Sequence, residues 1–547
     1  RNSFNLQSTV LNFCLVNKEH KSNEISQLLQ AKLKELNILN KVVRVTIDGA
    51  KNMIRAIDDI GLGSKRVWCI AHRLHLTIIN AFGFWIEKKD DTDDNEILET
   101  QQFMYDTSNT QAEEESDEMI NVDEFQSNTE CNEINTDLTR EGELLNDESL
   151  EESDSYEEEL LSDIMDEQIV DNWIADINES ENHAISDQDM IIPVIRKCRG
   201  LVLIIKSSII ITSFFDAERE KMNIKRNLCY DVKSRWNSTY CMIDAFLGLR
   251  EVIEKLFNQK HSLHVHPKQI KKLTALEFKS DDWIILSALH TVLKPFFHAT
   301  KVLSGRDYPS IGLAYYLLSR LKNFLQHHQE KKENIIIKRL KELLLSQFMY
   351  YFESNDGQVQ LLKFHAYFDP AGYATLTDDE KRAVEQNIKK MINDDIGYLT
   401  ELIIPTPSIS LNVHKSTNKL TLPRKTQKNV IDVFNESLGE FDDGETQCNE
   451  NKQTTIVDDI QNYRKCVSEF RLMHKIDASS STLFWQTFAE SFPILSKLAK
   501  KFLCTPATSV PSESCFSMSS YLARKERARL TGDNLSSSVF LKDKINF

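Results

Sequence analysis

Of the 83 acidic residues in this 547-residue chain, 36 fall between Asp90 and Met190, where Arg140 is the one basic residue. A stretch so charged, with few periodic apolar positions, cannot bury enough apolar surface to offset the entropy of ordering, and reads as a disordered acidic insertion. The fold must therefore be assembled from the sequence on either side. The tract also disguises the charge of everything else. The net charge is −17, yet the remainder carries 65 basic against 47 acidic residues. A basic body of this kind can meet a polyanion such as nucleic acid, which the acidic tract would repel or screen.

Ahead of the tract the pattern is α/β. Phe4, Leu6, Ser8 and Val10 alternate with polar residues as in a strand, and Ile25, Leu28, Leu29, Leu33 and Leu36 recur at helical spacing. Val42 to Ile47 predicts a second strand ending at Asp48. Arg66 to Ile70 predicts a third that runs into a helix bearing Leu74, Ile78 and Phe82. That rhythm belongs to a layered α/β domain. Behind the tract the chain turns all-α, in keeping with only 15 glycines and 11 prolines. Trp283, Leu286, Leu289, Leu293 and Phe296 follow one helix face, and Ile311, Ala314, Leu318, Leu321 and Leu325 another. Residues from Pro405 to about Ile460 are polar and proline-bearing, a second linker. The expected organisation is an N-terminal α/β part over 1–89, the acidic insertion over 90–190, a helical domain over 191–404, a linker over 405–460 and a C-terminal region over 461–547.

Several function classes lack support. The ten cysteines include no CxxC pair and read as reduced thiols. The most apolar run, Leu201 to Phe215, is short and is interrupted by Lys206, Ser207 and Ser208, so no membrane partner is expected. No Walker A loop, GxSxG elbow, HExxH or GxGxxG occurs. The chain opens at Arg1 with no methionine or signal-peptide pattern and reads as a piece of a longer product.

Four clusters have the composition of sites. Asp48, at the end of an apolar strand and before Gly49, Ala50, Lys51 and Asn52, stands where metals and phosphates are held at sheet edges, and equally where a helix cap stands. Cys69 and His72 form a single CxxH at a strand-to-helix junction. Without a second pair no zinc site is expected, and a packed cysteine beside a hydrogen-bonded histidine suits the pattern as well. Arg235 and Trp236, within Lys233 to Tyr240, combine an aromatic with cationic and hydroxyl groups, which fits base stacking or a helix start with a buried Trp. Glu513 sits at a predicted helix N-terminus, followed by the cations Arg524, Lys525, Arg527 and Arg529. Ahead of these, Trp485, Phe488, Phe492, Leu495, Ala499 and Phe502 form an aromatic stripe over two helices, with Pro493 starting the second. The stripe is either core or a dimer interface.

In order, these motifs resemble the hAT transposase superfamily, including its zinc-finger-BED-type domesticated relatives. Val45 to Met53 is similar to the family's V-T-D-N-A-x-N-M element, with Ile47 and Gly49 departing from it. Cys69 to Leu76 is similar to C-x-A-H-x-L-N-L, and Ser234 to Tyr240 to T-R-W-N-S-T-Y. Tyr367 to Pro370 resembles the L-D-P-R block, with Ala371 where Arg is usual. The tail from Phe484 to Leu530 resembles the C-terminal dimerisation region. The resemblance implies an RNase H-like core interrupted by a long helical insertion. It implies that Asp48 and Glu513 are the second and third of three metal-binding carboxylates holding Mg²⁺ in active members, the first falling before Arg1. It implies that Trp236 stacks on a DNA base, that Cys69 and His72 shape the DNA-proximal surface, and that the partners are DNA and a second copy of the chain. A nuclear location follows from the same resemblance and from basic clusters at Arg424-Lys425 and Arg524 to Arg529. The missing first carboxylate, the lack of a BED finger and Ser514 in the place of an Arg imply a catalytically incomplete, dimerising, DNA-associated protein. The alternative is a fragment of an active transposase.

Overall fold

The computed structural model describes residues 21–84, 185–232, 235–327, 334–394, 456–513 and 531–545, with the single positions 4, 6, 8, 10, 11 and 515. The acidic tract up to residue 184 and most of the expected linker lie outside them. The N-terminal part runs α1 (Ser22–Glu35), β1 (Val45–Ile47), α2 (Lys51–Asp59), β2 (Arg66–Trp68) and α3 (Ile70–Phe82). The helical domain follows with α4 (Ile185–Lys206), α5 (Ile209–Lys221), α6 (Trp236–Gly248), α7 (Arg250–Gln259), α8 (Pro267–Ala275), α9 (Ser280–Leu303), α10 (Ser310–Gln326), α11 (Ile335–Glu353), α12 (Asp356–Ala366), α13 (Pro370–Thr375) and α14 (Asp378–Asp394). The C-terminal region holds α15 (Ile456–Met473), α16 (Ser480–Phe488), α17 (Pro493–Leu503) and α18 (Gly532–Ile545). Two expected boundaries move. Helix α4 starts within the last residues assigned to the acidic insertion, and α15 within the last residues assigned to the linker.

The sheet is small. β1 and β2 pair in parallel, Val45 opposite Arg66 and Ile47 opposite Trp68, and the Cys69 N–H carries the ladder one step further to the Ile47 carbonyl at 3.0 Å. The expected strands at 42–47 and 66–70 are thus shortened to three residues each. Phe4, Leu6, Ser8 and Val10 are not in the ladder, and the positions between them lie outside the described residues. Phe4 instead stacks on Trp485 with ring centroids 5.8 Å apart. Two three-residue strands do not hold together alone, and the side of β2 turned from β1 is closed by an amide. The Gln358 side chain accepts from the Trp68 N–H at 3.2 Å and donates to the Arg66 carbonyl at 3.1 Å, standing in for a neighbouring strand.

Helix α3 is apolar on nearly all sides, so it can only be central. It packs on α11 and α9 and ends at Gly83, whose φ of +63° provides the left-handed cap. The Gln188 amide of α4 donates to the Asn80 carbonyl there, and a Cβ on Gly83 would lie 2.8 Å from its Oε1. The apolar run Leu201 to Phe215 divides between α4 and α5, which bend by 103° at Ser207 and Ser208. Among the described residues no single helix is long and apolar enough to cross a membrane. None of the seven described cysteines forms a disulfide.

The aromatic stripe of the tail is core. Trp485, Phe492, Leu495 and Phe502 are buried and Phe488 is half-buried, packed among Tyr367, Phe368, Tyr463 and Phe484. The Trp485 indole N–H donates to the Phe368 carbonyl at 2.8 Å, and the Tyr463 hydroxyl to the Tyr367 carbonyl. Arg464 pairs with Glu385, which also accepts from the Tyr367 hydroxyl at 3.1 Å. Asp459 caps α17 by accepting from the Ile494 and Leu495 N–H groups. For Trp485, Phe492, Leu495 and Phe502 the interface reading therefore gives way to the core reading, because their apolar surface is already spent inside one chain, and Phe488 packs partly against the same core.

Trp485→Ala should lower unfolding free energy by about 3–5 kcal/mol, the range for deleting a large buried aromatic. Chemical denaturation checks this. Self-association of the material that remains folded should be unchanged in sedimentation, whereas an interface role would weaken it at constant stability.

Candidate functional site

The predicted site residues meet where three separated segments converge. Asp48 directly follows β1 and is half-buried, its Oδ1 accepting from the Ala50 N–H at 3.3 Å; Ala50 itself is the N-cap of α2 and no side chain caps that helix, so Asp48 shapes the turn before α2 and does not cap it. Across from it, β2 runs into α3 through Cys69. The Cys69 Sγ accepts from the His72 N–H at 3.4 Å, so the cysteine caps α3 and turns the half-buried His72 towards Gly49. A Cβ built on Gly49 would lie 3.5 Å from His72 Nε2, an ordinary van der Waals contact that marks how near the imidazole comes to this backbone.

The third segment returns from the far end of the chain. The Thr46 hydroxyl donates to the Pro506 carbonyl at 2.7 Å, the Ile70 N–H to the Ala507 carbonyl at 3.0 Å, and the Ala507 N–H to the Ser310 hydroxyl at 3.1 Å. These bonds fix Ser509 over Cys69, and its N–H donates to Sγ at 3.2 Å. The Ser509 Oγ lies 3.2 Å from Sγ and 2.9 Å from Glu513 Oε1. One hydroxyl proton cannot serve both. Burial pushes the Cys69 thiol up, its hydrogen bonds to Ser509 and His72 counter this in part, and the nearby Glu513 charge adds to it. A thiol that stays protonated donates to Ser509 Oγ, which frees the hydroxyl proton for the carboxylate. Residues 510–513 are helical, and Glu513 faces solvent at their end.

Asp48, Cys69, His72 and Glu513 thus share one edge, joined through Gly49 and Ser509. Among the described residues no three His, Cys, Asp or Glu side chains come together in a group able to hold a metal ion. The carboxylates that the described residues bring to this edge are Asp48 and Glu513, two of the three that a two-metal centre built on three carboxylates uses. Cys69 uses its sulfur in capping.

Arg235 is exposed, but Trp236 is not beside it in solvent. It begins α6, is 2% exposed, and its backbone N–H donates to His75 Nδ1 at 3.3 Å. In this arrangement it cannot stack on a base, and the helix-start alternative describes it. The segment serves as a clasp. Asp231 accepts two bonds from Arg199 and one from the Thr239 hydroxyl, while Arg199 also reaches the Phe84 carbonyl at 2.9 Å. Asp231, Ser509, Gln358 and His75 were not singled out by sequence, since none stands in a pattern of its own. Their one signal is adjacency to a motif. Arg527 and Arg529 lie outside the described residues.

The hAT family C-terminal dimerisation region matches residues 462–545, the ZBED1 RNase-like helical domain residues 178–290, and the ZBED1 RNase-like domain residues 1–67. Over these three segments the chain is similar to hAT-family transposase-like proteins. It is 24% identical over 360 residues to a putative AC transposase of Zea mays, covering 64% of this chain and 41% of that protein. A putative AC9 transposase of Zea mays is 24% identical over 380 residues, covering 64% and 42%. The chain therefore spans about two fifths of the length of these curated relatives.

His75 gives the site's scaffold a pH dependence. Burial, and then the neighbouring His72, holds its imidazole down at about 3. Above the unfolded value near 6.5 it is neutral in both states and its share of stability is complete. As pH falls below that, the unfolded chain takes up a proton that the folded chain refuses. By pH 5 this costs about 2 kcal/mol. His75→Asn keeps an acceptor for Trp236 but cannot titrate. Its stability relative to wild type should rise by that amount between pH 7 and 5 in denaturant titrations, and a constant difference would refute the assignment.

Proposed function

We propose that this chain is the body of a transposon-derived nuclear protein that self-associates through its C-terminal region, contacts DNA, and does not cleave it unaided. The observation that carries this reading is the return of residues 506–513 to the edge formed by β1, β2 and α3, which joins the segment matched by the hAT dimerisation region to the one matched by the RNase-like domain. That discontinuous assembly is the one an RNase H-like core split by a helical insertion requires. The match to the dimerisation region supports self-association, and the basic charge outside the acidic tract supports contact with a polyanion.

The second reading, a fragment of an active hAT DNA transposase performing Mg²⁺-dependent cleavage and strand transfer, is favoured by one observation. Two carboxylates 465 positions apart in sequence reach the same edge.

Supercoiled plasmid incubated with the folded chain and Mg²⁺ or Mn²⁺ should stay intact, while sedimentation at micromolar concentration should show a dimer or larger species. Nicking that disappears in Glu513→Gln would establish the second reading in place of the first. A monomer would remove the self-association.

A further inference from the structure

Helix α8 and the loop before it carry a charge pattern that no feature of the site explains. From Lys255 to Leu276 the chain has five lysines and three histidines, His261, His264 and His266, and no carboxylate. Two of the lysines are compensated from outside the segment, Lys255 by Glu218 at 3.2 Å and Lys260 by Glu277 at 3.1 Å. Lys268, Lys271 and Lys272 follow at the spacing that places side chains on one helix face, about 5–6 Å apart at Cβ. Lys268 and Lys271 are exposed, and among the described residues no carboxylate lies within salt-bridge distance of either. Burial and then the charge of Lys268 hold the Lys272 ammonium below its usual range, a sign that like charges crowd here.

The arrangement works against the helix that bears it. Like charges at this spacing destabilise a helix, and the first turn of α8 has no acidic residue to meet the positive end of the helix dipole. Neighbouring α9, by contrast, opens with Asp281 and Asp282. An anion brought from outside relieves both costs. The apolar residues of the segment point the other way: Leu273 is buried, and Leu263, Val265 and Leu276 pack half-buried against the core. What α8 leaves accessible of its apolar residues is Pro267, Ala275 and part of Ile270, without the large aromatic and leucine side chains that enter an acyl layer from a membrane-surface helix. The three histidines belong to no metal-binding group among the described residues.

We propose that the lysine face of α8, flanked by the histidine loop, is a second DNA-contact surface that grips the phosphate backbone of duplex DNA without reading its sequence. It rests on the reading of the chain as DNA-associated, and adds a surface remote in sequence from both the RNase-like edge and the dimerisation region. Each lysine that neutralises one phosphate releases counterion, so the three together set a salt dependence.

The test is fluorescence anisotropy of a labelled mixed-sequence duplex with the full chain, with Lys268→Gln/Lys271→Gln/Lys272→Gln, and with a control of equal charge change, Lys338→Gln/Lys389→Gln/Lys390→Gln. Glutamine preserves helix propensity, and matched thermal melts confirm folding. Should the triple variant fail to fold, Lys271→Gln alone carries the test through a slope change of about 1. The triple variant should bind more weakly, with a slope of log affinity against log salt shallower by about 3 and a wild-type advantage that shrinks roughly 40-fold between about 50 and 200 mM salt. The control should behave as wild type. An unchanged slope in the triple variant, with wild type still binding, overturns this surface and leaves the DNA-associated reading standing. An equal loss in the control, or loss of binding only to phosphatidylserine vesicles, also overturns it. No duplex binding by wild type at the lowest salt overturns both.

Discussion

The hydrogen bonds that fasten residues 506–509 to the sheet edge hold two ends of a long chain together, and the site exists only where they form. Thr46 to Pro506, Ile70 to Ala507 and Ser509 to Cys69 span sequence separations of more than four hundred residues. Two strands of three residues cannot supply that closure from their own ladder. The edge is completed from elsewhere, by a returning backbone beside Cys69, by the Ser310 hydroxyl that holds that backbone, and by the Gln358 amide along β2. Ser310 comes from α10 and Gln358 from α12, and residues 506–509 from the non-helical segment that follows α17. The sheet edge is thus a product of the helical domain as much as of the N-terminal part.

The same dependence runs through the tail. Because the aromatic stripe packs on Tyr367 and Phe368, and Arg464 locks onto Glu385, the region matched by the hAT dimerisation description is joined to the end of the helical domain by a shared core. Close approach makes this junction rigid. A Cβ on Gly312 would lie 2.6 Å from the Asp369 Cβ, and one on Gly372 would lie 2.7 Å from the Gly312 carbonyl oxygen. Asp369, from the block resembling L-D-P-R, is the N-cap that sets α13 against α10. Surface left for a second copy lies on other faces, where Met473, Leu483, Val457 and Leu541 stay exposed.

Local patterns were legible and long-range roles were not. The stripes Trp283 to Phe296 and Ile311 to Leu325 are buried helix faces as their spacing predicts, and Pro493 starts α17. Asp48, Cys69 and Glu513 could be placed near one another only through the family resemblance, because periodicity carries no information about pairing over 440 residues. Trp236 shows the converse failure. An aromatic among cations has the composition of a base-stacking platform, but composition does not say which way a ring points, and the first residue of a helix that packs on α3 and α9 points inward. Phe4 alternates like a strand residue, and its ring is used instead to cover Trp485. Ser509 and Gln358 are ordinary polar residues until the fold places a thiol or a strand edge beside them.

Charge separates gripping DNA from acting on it. Asp48 and Glu513 bring two carboxylates to one edge, and charge of that sign opposes the approach of a phosphate. An edge of that composition cannot by itself draw a phosphate backbone towards it. Attraction has to come from cations elsewhere on the chain. Many described cations are already engaged with carboxylates: Arg199 with Asp231, Arg226 with Asp244, Lys197 with Asp282 and Arg464 with Glu385. Those pairs hold helices together and have little charge to spare. The lysine face of α8 differs in that Lys268 and Lys271 are exposed and, among the described residues, have no carboxylate within salt-bridge distance, and it is the surface proposed above to hold a polyanion. On the reading proposed above, grip and edge come from different segments of the chain, α8 and the β1–β2–α3 edge, so holding DNA would not require the carboxylates to act on it.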